Sequence, residues 1–217
     1  MPLETISESK KIRNIGIIAH IDAGKTTLTE RMLYYSGVLD EPGEVHHGNT
    51  TMDYLKEERE RGITIRSACI TFSWEGHHIN LIDTPGHIDF NAEVERSLRV
   101  LDGAVCIFDS SKGVETQTEL VWQQADNYNI PKIAFINKLD KSGADLHWTL
   151  DSIRNKLGVT PFLMQIPILT RDKDGNDMFD ALIDLVSMQQ VSWGDELGNS
   201  VKIVDLEQSS EHYSEAV

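Results

Sequence analysis

The stretch that most limits what this chain can fold into is AHIDAGKTT, Ala19 to Thr27. It lies between an apolar run that ends in IGIIA and a helix-like stretch, Leu28 to Tyr35. Ala19, His20, Ile21, Asp22, Ala23, Gly24, Lys25 and Thr26 follow the pattern G-x-x-x-x-G-K-[S/T], with alanine in place of the first glycine. Alanine stays small there but allows the backbone fewer conformations. In this setting the backbone N–H groups of Asp22 to Thr26 point at a β-phosphate, helped by the positive end of the following helix. Lys25 brings a point charge to β- and γ-phosphate oxygens. The Thr26 hydroxyl suits a Mg²⁺ ion, and Thr27 carries the chain into the helix. A strand, such a loop and a helix in succession imply a nucleoside triphosphate as ligand.

The rest of the first 165 residues repeats the strand–helix alternation. RSACITFSW and HHINLID read as strands broken at Glu75-Gly76, followed by a helix around Ala92 to Leu101. GAVCIFD is a strand, Thr116 to Tyr128 a helix, KIAFIN a strand and Leu146 to Leu157 a helix. This predicts an α/β domain with a mostly parallel sheet flanked by helices, which gathers its ligands at the carboxyl ends of the strands. Ser36 to Ile65 is too long and charged for an ordinary connection, and reads as functional or mobile. After Pro161 the pattern changes to short strands, FLMQIPI, FDALIDLV and VKIVDL, between polar loops. The expected division is therefore a core over residues 1–165 and the beginning of an inserted β-containing subdomain over 166–217.

Two further motifs fall at strand ends. Asn137-Lys138-Leu139-Asp140 follows KIAFI, more than a hundred residues after the phosphate loop. A carboxylate at Asp140 accepts the N1–H and 2-amino group of guanine, a pair adenine does not present. Asn137 holds the loop and the Lys138 stem covers the base. Asp83-Thr84-Pro85-Gly86-His87 follows the strand NLI. There Asp83 reaches Mg²⁺ through a water, Gly86 meets the γ-phosphate, and His87 is placed to orient a water. Thr64, in ERGITI, supplies a second hydroxyl toward Mg²⁺ from the long segment. These residues describe a GTP/GDP site with two loops that a γ-phosphate clamps and releases.

Charge and composition add limits. The net charge is −15, and from Asp172 onward eleven Asp/Glu face only two Lys. An acidic surface argues against this chain wrapping nucleic acid on its own. No apolar stretch approaches the ~18 residues of a membrane span, and the N-terminus lacks signal-peptide or transit-peptide character, so a cytoplasmic, bacterial-type location is expected over a mitochondrial matrix one. Cys69 and Cys106 read as buried free thiols. Trp74, Trp122 and Trp148 read as packing on or near the core rather than stacking on nucleotide, Val94 and Leu98 as a helix's core face, and Glu95 with Arg99 as a charge pair.

With these motifs in view, the chain resembles the translational GTPases, and its finer text resembles elongation factor G. The likeness rests on AHIDAGKT, ERERGITI, IDTPGHIDFNAEVERSLRVLDGAV and INKLDKSGAD, and on GEVHHG with Met52-Asp53. Ala23 fits that branch better than elongation factor Tu, which has histidine there. QIPI and FDALIDLV, followed by Trp193, resemble the opening of that factor's G′ subdomain. The resemblance implies a P-loop GTPase that acts as a monomer on the ribosome, meeting large-subunit rRNA and proteins of the factor-binding site. It makes His87 the catalytic histidine and couples hydrolysis to translocation. A recycling paralogue and a tetracycline-resistance ribosomal protection protein share much of the pattern, and a non-catalytic guanine-nucleotide module is the alternative from another class. The family's fifth guanine-contacting loop has no match between Leu157 and Val217, so the chain is expected to stop inside the G′ segment.

Overall fold

A computed structural model describes residues 10–41, 43, 68–84, 91–171, 177–195, 198–207 and 213. The chain divides into two compact units, Met1–Asn137 and Lys138–Val217. The described residues of the first contain β1 (Ile12–Ala19), α1 (Lys25–Tyr35), β2 (Ala68–Trp74), β3 (His77–Asp83), α2 (Asn91–Leu98), β4 (Gly103–Asp109), α3 (Thr116–Asn127) and β5 (Lys132–Asn137). They form a five-stranded sheet in the order β2-β3-β1-β4-β5. β1 runs parallel to β3 and β4, and β4 runs parallel to β5. β2 alone is antiparallel, turning into β3 at Glu75 and Gly76, both with positive φ (46° and 72°). Positive φ at both central residues matches the right-handed twist of a tight hairpin.

Central position explains the apolar text of β1. Ile17 and Ala19 pack with Leu33 of α1, Leu81 of β3 and Ile107 of β4 in one cluster. The alternate residues Ile18, Cys106 and Phe108 are also buried, so strand alternation sends them to the opposite face. There the ring of Phe108 lies 6.4 Å from that of Trp122 on α3. A strand covered on both faces has no reason to alternate polar and apolar residues. Leu33 is fully buried, and burial of such a side chain contributes about 2 kcal/mol. On α2, Val94 and Leu98 are buried while Glu95 and Arg99 pair at 3.2 Å, as their spacing predicts.

Some expectations fail at the sheet's edge. Cys69 is exposed, because β2 is an edge strand whose outward face carries Cys69, Thr71 and Ser73. Cys106, on inner strand β4, is buried as expected, and burial pushes its thiol far up. Trp122 is buried, whereas Trp74 and Trp148 are about half exposed (51% and 48%). Trp74 ends the edge strand at its hairpin, and Trp148 sits in the first turn of a helix.

The second unit opens with that helix, α4 (Leu146–Leu157). Asp145 caps it by accepting from the Trp148 N–H at 2.9 Å, and Gly158 ends it with φ 67°. Gly has no Cβ to oppose that left-handed step. β6 (Gln165–Arg171), β7 (Asp177–Asp184), β8 (Gln189–Trp193) and β9 (Val201–Asp205) follow as an antiparallel sheet in sequence order. Ile168, Ala181 and Ile183 form its small core, with Ile166, Leu185 and Leu206 against them. β8 is not anticipated by the sequence pattern. Among the described residues no helix is long and apolar enough to cross a membrane.

Candidate functional site

The phosphate-loop residues leave β1 and turn tightly before α1. The Ala23 N–H donates to the His20 carbonyl at 3.2 Å, and Asp22 takes a positive φ of 61°. Gly24 caps α1 with φ 102°, which an L side chain adopts only with strain. A Cβ at Gly24 would also run into the Asn137 amide. That amide, at the end of β5, donates to the Ala23 carbonyl at 2.8 Å. The loop after β1 and the end of β5 are thus physically joined. The same residue's carbonyl accepts the Ser110 N–H at 3.0 Å, tying the end of β4 into the arrangement.

Lys25 and Asp83 form a buried ion pair. Lys25 Nζ donates to Asp83 Oδ1 at 2.6 Å with both side chains buried. Two opposite charges at that distance in a poorly solvated site hold each other firmly. Thr84, next along, is buried and donates its hydroxyl to the Ile17 carbonyl at 2.7 Å, which fixes the chain as it leaves β3. Thr26 is half-buried in the first turn of α1, and Thr27 and Asp22 are exposed. Ile21 is half-buried and Ala19 buried.

Lys138, Leu139 and Asp140 continue from Asn137. Lys138 has φ 62° and its carbonyl accepts the Lys141 N–H at 3.1 Å, and Asp140 is exposed. Pro85, Gly86, His87 and Thr64 lie outside the described residues.

Two contacts are not legible in the sequence. Glu30 of α1 is fully buried and accepts the Gly43 N–H at 3.1 Å. Glu115, just before α3, places Oε2 at 2.8 Å from His20 Nε2. Neither has a sequence signal, since a glutamate in or beside a helix ordinarily reads as a solvated surface residue.

Comparison with known proteins agrees with this geometry. The family model of the elongation factor Tu GTP-binding domain matches residues 10–212. A crystal structure of a protein from Thermus thermophilus superposes with a TM-score of 0.82 at 28% sequence identity. The match covers 95% of this chain and 29% of that one, so this chain spans less than a third of the Thermus protein's length. With β1, its loop and α1 tied through Asn137 to the end of β5, and the family model matched over nearly the whole length, the chain belongs to the elongation factor Tu GTP-binding domain family, the G domain of translational GTPases.

Proposed function

We propose that this chain is the GTP-binding and GTP-hydrolysing domain of a ribosomal translocation factor of the elongation factor G type. The observation that supports the site is the Asn137 bond to Ala23, which ties the loop after β1 to the residue that opens the proposed base motif. The finer family reading is supported by the sequence, through Ala23, INKLDKSGAD and the QIPI and FDALIDLV segments.

The proposed roles follow from side-chain chemistry. The N–H groups of Asp22 to Thr26 and the Lys25 ammonium hold the phosphates. Ala19, His20 and Ile21 shape the approach to them, and Thr84 fixes the chain beside them. Asp140 reads the guanine edge and Lys138 covers the base, with Leu139 between them. Thr26, Asp83 and Thr64 are hard oxygen donors suited to Mg²⁺. Among the described residues no three His, Cys, Asp or Glu gather into a metal cage. A donor set of two hydroxyls and one carboxylate would leave the rest of a cation's coordination to phosphates and water, the usual Mg²⁺ arrangement. Bound there, the ion neutralises β- and γ-phosphate charge. His87 orients the attacking water, and Gly86 senses the γ-phosphate with Thr64. We assign residues 1–165 to the GTP-binding core and 166–217 to the start of a G′-type insertion, in a cytoplasmic protein.

Calorimetric titration with GDP in Mg²⁺, against ADP, tests the site. Binding of GDP and none of ADP is expected, and equal binding or none of either removes the guanine reading. GTP hydrolysis by the protein at its natural full length, with and without ribosomes, tests the coupling. Hydrolysis without translocation would favour a recycling or ribosomal protection factor.

A further inference from the structure

We propose that Glu115 is a positioning residue for the nucleotide, holding the phosphate loop in its binding form through the His20 ring. This rests on the guanine-nucleotide reading above and adds a residue from outside its motifs.

Glu115 occupies the N-cap position of α3 with an extended backbone (φ −105°, ψ 160°), yet its side chain makes no capping bond. Ser, Thr, Asp and Asn are favoured there because a short side chain reaches back to the helix's free N–H groups. Glu115 instead sends its carboxylate 2.8 Å from His20 Nε2. The contact joins two loops on one edge of the sheet: His20 follows β1, Glu115 follows β4, and these strands are neighbours with Ala19 opposite Ile107.

Both sides of the contact are firmly mounted. The turn between β4 and Glu115 is closed by Ser111, whose N–H and hydroxyl donate to Asp109 Oδ1, and by the Gly113 N–H on the Asp109 carbonyl. At the far end of α3, the Tyr128 hydroxyl donates to Glu95 Oε1 at 2.8 Å and accepts from Arg99 Nε at 3.2 Å, which fastens α3 to α2. On the loop side, the His20 carbonyl closes the turn that gives Asp22 its positive φ and leads to Gly24.

The state of the ring follows from its surroundings. A carboxylate only accepts hydrogen bonds, so Nε2 carries the hydrogen. Nδ1 is buried without a hydrogen-bond partner among the described residues, and a hydrogen there would be left unpaired. Burial favours the neutral ring against the pull of Glu115, and the contact is then a charge-assisted hydrogen bond.

Charge and positioning make opposite predictions, which gives the test its sign. A carboxylate beside a phosphate site repels phosphate, so if charge were its only effect, removing it would tighten GDP binding. A positioning carboxylate does the reverse, and the carboxylates that orient metal-ligating histidines set the scale, about 10-fold or more. In calorimetric titrations of the 217-residue chain with GDP and Mg²⁺, Glu115→Ala is expected to weaken binding about tenfold. Glu115→Gln, which keeps an acceptor oxygen and loses the charge, should bind at least as tightly as the parent. On a His20→Ala background, Glu115→Ala should cause no further loss. The melting temperature of the nucleotide-free chain reports any general destabilisation. Should Glu115→Ala fail to fold, Glu115→Asp keeps the charge, falls short of His20 by one methylene, and should weaken GDP binding likewise. Parental or tighter affinity in the Ala or Asp variant overturns the positioning role. If the parent chain itself binds no GDP, the functional reading falls and this role with it.

Discussion

At the residue scale, the site stores its chemistry in buried polar contacts, and each can be tested singly. The Lys25–Asp83 pair is buried on both sides. Replacing Lys25 by Met removes half of it and leaves a carboxylate in a poorly solvated place. We expect a loss of about 3 kcal/mol in the stability of the nucleotide-free chain, measured by denaturant unfolding. A loss near zero would mean that solvent reaches the pair. His20 gives a pH signature. Burial holds its imidazole below the ordinary value of about 6.5; Glu115, Asp22 and Asp109 oppose this and Lys112 adds to it. Below that pH the unfolded chain takes up a proton that the folded ring resists. The stability contribution is therefore intact above the ordinary value and is lost as pH falls toward the lower folded one. The melting temperature of the parent should fall more steeply than that of His20→Asn between about pH 7 and about pH 5.5. Parallel curves would show that His20 is not held neutral. At the base, Asp140→Asn should shift preference from GTP toward XTP, because xanthine offers an acceptor where guanine has an amine. Unchanged preference would remove Asp140 from base recognition.

At the element scale, sequence and structure agree where one local cause decides. β1, β3, β4, β5, α3 and α4 fall within a residue or two of their expected places, and α1 begins three residues earlier, at Lys25. Their patterns come from burial period and from caps, both written in neighbouring residues. α4 is the clearest case, with Asp145 before it and Gly158 after it. Asp145→Ala should cost about 1 kcal/mol, read as a drop in the melting temperature of that helix by circular dichroism. No drop would mean water replaces the cap. β8 escapes a sequence reading because QQVSW offers little apolar alternation. Its place is set by partners distant in sequence: Ser192 opposite Ala181 on β7, and the Gln189 amide donating to Asp205 on β9 at 2.8 Å. The turn before it is equally specific, since the Asp184 carboxylate accepts from the N–H groups of Val186 and Ser187. The Ser187 N–H chiefly, with the Gln165 amide, the Ser187 hydroxyl and the Val186 N–H, holds that carboxyl below its usual range. Cys69 departs from expectation, and Trp74 stays half exposed, for a related reason. Residue type says that cysteine and tryptophan prefer the interior, but only sheet order reveals that β2 is an edge. The loop after β1 and Asn137 stand in motifs that the sequence displays, whereas the Glu115–His20 contact was not legible, because it depends on β1 and β4 being neighbours.

At the scale of the whole molecule, two sheets are stabilised by cores of very different size. The mostly parallel sheet buries Ile17, Leu33, Phe72, Leu81 and Ile107 in one cluster and Phe108 with Trp122 on its other side. Among the described residues the antiparallel sheet buries three apolar residues in its core cluster, one of them alanine. Its edge strand β9 is exposed along its whole length. Few buried contacts mean a low cost of opening, so these amides should open by local events well below the cost of unfolding the larger sheet. Hydrogen exchange followed by mass spectrometry should show β6 to β9 exchanging faster than β1, β3 and β4. Ile183→Ala, which empties a fully buried site in the smaller core, should cost about 2–4 kcal/mol there. It should speed exchange in β6 to β9 and leave β1 and β4 unchanged, while Leu33→Ala should do the reverse. If either substitution accelerated both sheets equally, the chain would be unfolding as one cooperative body, and the smaller sheet would be borrowing its stability from contacts beyond its own core.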